Sequence, residues 1–514
     1  MQERASGILV HPSCFPSHGG IGDFGPAAYD FLDFLSAAKQ SLWQILPLGP
    51  AGYGNSPYSC ISAFAGNPLL ISLDRLAEHG WIDRIRLQNL PACDSCCAIS
   101  FGQLEKTKVP LLHEAAANFV ANASSTDRER FEKFCWLNGW WLEDYVLFET
   151  LRRHFDAHSW NEWPRALAEH HPEALEKARR DFADELAQSR ALQFAFYEQW
   201  RALHKESRRR GIKIIGDVAI FVSYDSADVW AHPDLFRLKS DLTPEVVAGV
   251  PPDYFSKNGQ RWGNPLYRWD VLRERSYDWW LRRMQWALQT CDMVRIDHFR
   301  GFEACWEIPA DEETAINGRW IKGPADDFFR ALRDSFGDLP LIAEDLGLIT
   351  EEVVAMRERI GVPGMRVIQF GFGDKGAHMY LPHKYVENTV VYTGTHDNDT
   401  TVGWWKNSAR PEEREHAQAY FGHAPDGINW ALIRAAETSV ARICVIQLQD
   451  VLGLDSDCRM NIPSHPEGNW TWRYRPNQLT PELAKKLAAI TEISDRVSEV
   501  GQKGHGEATE HFSA

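Results

Sequence analysis

The stretch Met293-Val-Arg-Ile-Asp-His-Phe-Arg-Gly-Phe302 begins as a short apolar run and ends in charged residues. A run of this kind, without clean alternation, predicts a strand buried on both faces, here Met293–Asp297. Helical patterns such as Ala27–Ala38 and Tyr277–Leu288 separate it from similar runs, which predicts parallel strands. We therefore predict an α/β fold, a closed (β/α)8 TIM barrel with catalytic residues at the carboxyl ends of its strands. The other predicted strands are Ile8–His11, Leu42–Leu48, Ile212–Val218, Leu339–Glu344, Met365–Phe370, Thr389–Thr393 and Ile443–Leu448.

The spacing between these strands is uneven, which predicts large insertions into one barrel spanning residues 1–514. Residues 74–205, after the second strand, carry helical patterns and predict a helical insertion subdomain. Residues 223–290 form a second predicted insertion, after the third strand. Within it, Tyr224–Asp270 is rich in Pro, Gly, Trp and Tyr, and we expect an ordered loop region with an aromatic lid loop at residues 249–267. The polar tail, residues 501–514, is expected to be flexible. The predicted helices of the first insertion are Phe131–Phe155, Trp163–Ala187 and Leu192–Arg210.

Composition narrows the classes of partner. A formal net charge of −16 argues against nucleic acid and against an anionic membrane, because both require a basic face. The 21 Trp residues suit sugar rings, which have apolar faces and polar rims, although Trp also fills large cores. We find no signal-peptide pattern and no apolar run of about 18 residues, so we expect a cytoplasmic protein. Cys93, Cys96 and Cys97 form a cluster without a second pair at zinc-finger distance, and we expect exposed reduced thiols there.

Three acidic motifs follow predicted strands: Arg295–Phe302, Ile342-Ala-Glu-Asp-Leu-Gly347 and Thr393-Gly-Thr-His-Asp-Asn-Asp-Thr400. A carboxylate at a buried strand end loses solvation, so it needs a partner or a chemical task. One such motif alone is explained by a structural ion pair. Three at the fourth, fifth and seventh strand ends of one barrel favour an active site.

These motifs, together with Gly52–Ser59 and Gly249–Tyr267, resemble the α-amylase clan of retaining glycosidases. The residues of these motifs are similar to those of glycoside hydrolase family 77, the amylomaltases or disproportionating enzymes. The resemblance runs from about residue 7 to about residue 475. The resemblance implies a 4-α-glucanotransferase that moves α-1,4-glucan segments to an acceptor glucan or glucose. It also implies the short form of the family, without a C-terminal β-domain.

The resemblance implies roles for particular residues. Asp297 matches the nucleophile, Glu344 the general acid/base, and Asp397 the third carboxylate, which stabilises the transition state. The implied substrate-binding residues are Arg295, His298, His396, Asp253, Tyr58, Ser56, Trp262 and Asn461. Asp253 and Trp262 fall on the loop that covers the donor glucan in relatives, and Ser56 and Asn461 are the weaker matches.

The residues themselves fit this chemistry. Retention needs an ionised carboxylate nucleophile and a second carboxyl group that acts as acid and then as base. Arg295 precedes Asp297 by two residues, so both side chains point to one face of the strand, and the guanidinium favours the ionised form. The apolar residues before Glu344 and its negative neighbours raise its pKa. Transfer rather than hydrolysis requires a bound acceptor and a site that excludes water, for which an aromatic lid is suited.

Three alternatives remain open at this level. A hydrolase on the same barrel would differ in the products that it forms from maltotriose. A glucan-binding scaffold would lack an acid or a nucleophile, and none is missing. A metal-dependent hydrolase could use His11, His298 and His396, but metal-binding spacings such as HExxH are absent, and we expect neither metal nor cofactor. The sequence leaves open the preferred donor length, cyclic products, pathway and oligomeric state.

Overall fold

The computed structural model describes residues 3–88, 90, 98–252, 256–465 and 467–498. Its strands alternate with helices along most of the chain, as the sequence predicted. The strands are β1 (Ala5–Leu9), β2 (Leu42–Gln44), β3 (Lys213–Ala219), β4 (Val246–Val250), β5 (Gln260–Pro265), β6 (Met293–Asp297), β7 (Ala304–Pro309), β8 (Arg319–Lys322), β9 (Leu341–Ala343), β10 (Gly364–Val367), β11 (Thr389–Tyr392) and β12 (Ile443–Gln447).

Eight of these strands close into a parallel barrel, so the predicted TIM-barrel fold is confirmed. The order around the barrel is β1-β12-β11-β10-β9-β6-β3-β2. The first and last strands pair in register from Ala5 with Ile443 to Leu9 with Gln447, which closes the sheet. Ile8, Val294 and Val445 are fully buried, as expected for strands covered on both faces.

The helices surround the barrel and fill the long segment between β2 and β3. The longest, from Ser125 to His154, starts at a Ser124 side chain that accepts a hydrogen bond from the Asp127 amide. The α-helices are α1 (Pro26–Ala37), α2 (Leu73–Glu78), α3 (Phe101–Leu104), α4 (Lys108–Asn122), α5 (Ser125–His154), α6 (Arg165–Ala168), α7 (Pro172–Asp181), α8 (Ala183–Arg209), α9 (Ala227–Ala231), α10 (Trp269–Glu274), α11 (Asp278–Thr290), α12 (Ala325–Phe336), α13 (Glu351–Ile360), α14 (Thr401–Gly403), α15 (Pro411–Phe421), α16 (Ile428–Thr438), α17 (Leu448–Leu452) and α18 (Pro481–Ile493).

Besides differences of a few residues in strand bounds, two segments differ from the sequence-based prediction. The stretch Trp163–Ala187 is not one helix, because Pro172 cannot continue a helix and instead starts α7 at its first turn. The segment Tyr224–Asp270, predicted as a loop region, contains strands β4 and β5. These pair antiparallel with each other, and β4 pairs with β7, giving a second sheet of order β5-β4-β7-β8. The second sheet includes two strands that follow β6, so its pairing is not local in sequence.

Within the described residues, no helix is both long and apolar enough to cross a membrane. The predicted flexible tail, residues 501–514, lies outside the described part of the chain.

Candidate active site

A buried guanidinium joins two carboxylates where β3 and β6 run side by side. The register places Asp217 opposite Arg295. Arg295 donates from Nη1 to Asp217 Oδ2 at 2.7 Å and from Nη2 to Asp297 Oδ1 at 2.8 Å. The Arg295 side chain is 4% exposed and that of Asp297 is 30% exposed. Arg295 therefore holds the predicted nucleophile in place while leaving part of its carboxylate open to the barrel mouth.

Electrostatics keep this guanidinium charged. Burial opposes the charge, but Asp217 and Asp297 raise the pKa of Arg295 well above its ordinary value. Burial also raises the pKa of Asp217, and Arg295 opposes that rise. Arg295 is therefore a fixed cation in contact with Asp297, and the two side chains share one face of β6, as their spacing of two residues predicted.

Glu344 follows β9 directly and lies beside the end of β6, because Ile296 pairs with Ala343. Its Oε2 accepts a hydrogen bond from the His298 amide at 2.8 Å, and its Oε1 accepts one from the Leu346 amide at 2.8 Å. Burial and then the charge of Asp297 raise the pKa of Glu344 to about 7, against Arg295 and the two amide donors. A carboxyl group with this pKa carries its proton for about half of the time at neutral pH.

The third predicted carboxylate, Asp397, follows β11 and has an environment of the opposite kind. Asn461 Nδ2 donates to Asp397 Oδ1 at 2.7 Å, and His396 Nε2 lies 3.3 Å from Oδ2. Burial would raise the pKa of Asp397, but His396 and Asn461 outweigh it and lower the pKa to about 2. Burial would lower the pKa of His396, but Asp397 outweighs it and raises the pKa. Asp397 is therefore ionised across the neutral range.

Tyr58 connects the Arg295–Asp217 ion pair to the His396–Asp397 pair. Its hydroxyl donates to Asp217 Oδ2 at 2.8 Å and lies 3.3 Å from His396 Nδ1. Its ring stacks on the His396 ring at 4.8 Å between centroids and 21° between planes. A continuous path of polar contacts thus links Asp297 to Asp397, through Arg295, Asp217, Tyr58 and His396.

His298 and Trp262 are in contact beside the candidate active site. The ring of Trp262, in β5, meets the His298 ring edge to face at 4.8 Å and 88°. Burial lowers the pKa of His298 to about 4, so the imidazole is neutral at pH 7. His298 Nε2 is buried and has no hydrogen-bond partner among the described residues. It is therefore able to bond a ligand hydroxyl.

The remaining predicted residues form no hydrogen bond with the three carboxyl groups in the described part of the structure. Ser56 Oγ accepts a hydrogen bond from the Tyr58 amide at 3.2 Å, so it braces the turn that carries Tyr58. Asp253 lies outside the described residues, as do Cys93, Cys96 and Cys97. In the described part of the chain, no group of three or more His, Cys, Asp or Glu side chains is arranged to hold a metal ion.

Two residues of this site were missed by the sequence analysis. Asp217 was assigned to the third strand, but its carboxylate was not recognised as the partner of Arg295. The available signal was one acidic residue inside the apolar run Ile214–Val218. The second missed residue is Trp470, whose ring lies 6.1 Å from Tyr58 and 5.9 Å from His396. No strand or motif marked it in the sequence.

Comparison with known proteins decides the family. The model of the 4-alpha-glucanotransferase family, glycoside hydrolase family 77, matches residues 10–480. The chain belongs to that family. A 4-alpha-glucanotransferase of Thermus thermophilus is 48% identical over 96% of this chain and 99% of its own length. The amylomaltase from Streptococcus agalactiae in complex with acarbose has a TM-score of 0.92 and 38% identity, over 96% of this chain and all of that one.

The fold of this 4-alpha-glucanotransferase is shared more widely than its sequence. An amylomaltase from Corynebacterium glutamicum has a TM-score of 0.74 at 18% identity, over 96% of this chain and 75% of that one, which shows a common fold. The family membership makes the chain an enzyme, a 4-alpha-glucanotransferase of the amylomaltase kind.

Proposed function

We propose that this enzyme transfers α-1,4-glucan segments to the 4-hydroxyl of an acceptor glucan or of glucose by retaining double displacement. Asp297 is the nucleophile, Glu344 the acid and base, and Asp397 the stabiliser of the transition state. The observation that carries the proposal is the contrast between Asp297, which contacts a cation, and Glu344, whose pKa rises to about 7. A retaining mechanism requires one ionised carboxylate and one protonated carboxyl group.

In the first step, the Asp297 carboxylate attacks the anomeric carbon of the donor. Glu344 gives its proton to the glycosidic oxygen, and the C–O bond to the leaving sugar breaks. The products are a glycosyl ester on Asp297 and a free 4-hydroxyl on the departing chain. Because Arg295 donates to Asp297 Oδ1, Oδ2 is the oxygen available for the attack.

In the second step, the roles of Glu344 reverse. The negative charge of Asp297 is one cause of the raised pKa of Glu344, and that charge vanishes when the ester forms. The pKa then falls, and the ionised Glu344 accepts the proton of the acceptor 4-hydroxyl. The acceptor oxygen attacks the anomeric carbon and displaces the Asp297 carboxylate, so a new α-1,4 bond forms with the original configuration.

Other residues orient the sugars. Asp397, held by Asn461 and His396, accepts hydrogen bonds from sugar hydroxyls while positive charge develops at the anomeric carbon. His298 bonds a hydroxyl through its unpartnered Nε2. Trp262, 39% exposed, covers a donor ring and displaces water, which favours transfer over hydrolysis. Asp253, which falls between β4 and β5 in the sequence, is proposed to bind the donor glucan as well.

The substrates proposed are α-1,4-glucans and maltooligosaccharides, with glucose as the smallest acceptor and without a cofactor. The cysteines in the described residues are free thiols, which fits a reducing compartment such as the cytoplasm.

The test separates the acid from the nucleophile. A Glu344→Gln variant should be almost inactive on maltotriose, whose leaving hydroxyl needs a proton. On α-maltotriosyl fluoride its first step should survive, because fluoride leaves with little help, and the intermediate should accumulate. Mass spectrometry of the quenched protein should then find a maltotriosyl group on the peptide that contains Asp297. Azide, which needs no base, should release it as an α-glycosyl azide.

Two results would contradict the proposal. Equal loss of activity on maltotriose and on the fluoride, without a trapped adduct, would remove Glu344 from the acid/base role. An adduct on Asp397 would mean that nucleophile and stabiliser are exchanged. Product analysis from maltotriose completes the test, since glucose plus a ladder of longer chains requires transfer.

A further inference from the structure

Helix α5 carries two large apolar side chains that the rest of the protein leaves exposed. Trp136 is 81% exposed and its neighbour Leu137 is 51% exposed. Trp140 and Asp144 follow Trp136 at intervals of four residues, so the three side chains lie along one face of the helix. Contiguous exposed apolar side chains are a common mark of a binding surface.

This row leads into a small cavity of about 120 Å³ between α5, α9 and α11. Three indole rings and several charged groups line it, and none of these residues belongs to the candidate active site. The residues that matter for its chemistry are Trp140, Trp141, Asp144, His232, Trp279 and Arg282.

Two charged side chains face this cavity without a partner. Within the described part of the chain, neither Asp144 nor Arg282 has a hydrogen bond or an ion pair. The Arg282 guanidinium instead lies over the Trp140 ring, 5.3 Å from its centroid. Burial raises the pKa of Asp144, against the charges of His232 and Arg179. A partly buried charge without a hydrogen-bond partner is costly, so a ligand hydroxyl would stabilise Asp144. Arg282 is exposed and offers its donors to the same ligand.

We propose that Trp136, Trp140 and this cavity form a second α-glucan-binding site, on helix α5 and separate from the barrel mouth. Trp136 stacks on the apolar face of one glucosyl ring, and the cavity receives a neighbouring ring. The Asp144 carboxylate accepts from its hydroxyls, and the Arg282 guanidinium donates to them. A flat aromatic platform beside both an acceptor and a donor matches a neutral sugar, which is apolar on its faces and polar at its rim.

The site acts only on long substrates. A chain that is held on α5 raises the effective concentration of its own free ends near the barrel mouth, whereas maltotriose is too short to gain from a second attachment. The inference rests on the α-glucan substrate of the proposed function, but it requires none of the catalytic roles assigned above.

The experiment compares Trp136→Ala and Asp144→Asn with wild type and with Ile493→Ala. Ile493 is a matched control, because it is 65% exposed and ends α18. Native gels with increasing glycogen measure retention, and initial rates measure KM for amylose and kcat/KM for maltotriose. Both site variants should bind glycogen about 3- to 10-fold more weakly and show a higher KM for amylose. Their kcat/KM for maltotriose should equal that of wild type, and Trp136→Phe should retain most of the binding.

Three outcomes would overturn the inference, and a fourth would contradict the proposed function instead. Unchanged glycogen retention in both variants would show that α5 binds no glucan. A parallel loss on maltotriose would show that these residues act through the catalytic site. A lower molecular mass in solution for Trp136→Ala, without a change in glycogen retention, would make this face an interface between protein chains. Loss of maltotriose transfer in wild type would contradict the proposed function and leave the glycogen result to be judged separately.

Discussion

The raised pKa of Glu344 predicts an alkaline limit to the activity. Its rise from 4.5 to about 7 corresponds to a preference of about 3 kcal/mol for the protonated form. The acid must carry its proton for the first step, so activity is present below the pKa and is lost as the pH rises through it. About nine-tenths of the enzyme is protonated at pH 6 and about one-tenth at pH 8, so the rate should fall about tenfold per pH unit above the limit.

The measurement is kcat/KM for maltotriose between pH 5 and 9, from the initial rate of glucose release. This parameter reports groups of the free enzyme, and the apparent pKa belongs to the interacting pair of Asp297 and Glu344. Tryptophan fluorescence at each pH checks that the protein remains folded. We expect an alkaline pKa close to 7.

A second glycosyl donor tests whether Glu344 causes the alkaline limit of the activity. With Glu344→Gln, α-maltotriosyl fluoride and azide, neither step needs a proton from residue 344, so the alkaline limit should disappear. Our reasoning is refuted if the limit persists in this variant, because another group must then cause it. An alkaline pKa below 6 in wild type would refute the burial argument itself.

Four further outcomes are expected. Asp297→Asn should fold with a normal melting temperature but transfer nothing, and near-normal turnover by the folded variant would exclude Asp297 as nucleophile. Arg295→Met should lower the free energy of unfolding by about 3–5 kcal/mol in urea, since it leaves Asp217 buried without its cation; a loss below about 1 kcal/mol would show that this ion pair is dispensable. Trp262→Ala should weaken long donors by about 0.5–1.5 kcal/mol and raise hydrolysis relative to transfer, and an unchanged product ratio would exclude a covering role. Treatment with EDTA should leave activity unchanged, whereas loss that calcium or zinc restores would reveal a metal site.

The barrel could be predicted from the sequence because its signal is local. Each strand is a short apolar run, and Met293–Asp297 has the predicted bounds. Other runs were predicted too long: Leu42–Leu48 contains a strand that ends at Gln44. Beyond Gln44 the apolar residues Ile45 and Leu46 remain buried in the core although the strand has ended. Hydrophobicity thus reports burial, and it does not report where the hydrogen-bonded ladder stops.

The second sheet could not be predicted in the same way. Strand β4 pairs with β7, which lies more than fifty residues later, and a short strand gains its stability from such partners rather than from its own residues. The same holds for Asp217, because its contact with Arg295 depends on the register between β3 and β6. The sequence motifs identified the candidate catalytic residues directly. A residue such as Asp217, whose role is to contact a residue of another motif, could be identified only from the three-dimensional structure.

The three carboxyl groups at the barrel mouth differ through their contacts rather than through their residue type. Asp297 contacts the guanidinium of Arg295, which suits the nucleophile role that we propose for it. Asp397 contacts His396 and Asn461, which lower its pKa to about 2. Among the described residues, the hydrogen-bond donors to Glu344 are backbone amides alone, so burial and the charge of Asp297 dominate and raise its pKa to about 7. In the proposed mechanism the first step removes the charge of Asp297, which is one of these two causes. The same glutamate is then expected to act as an acid before the glycosyl ester forms and as a base after it.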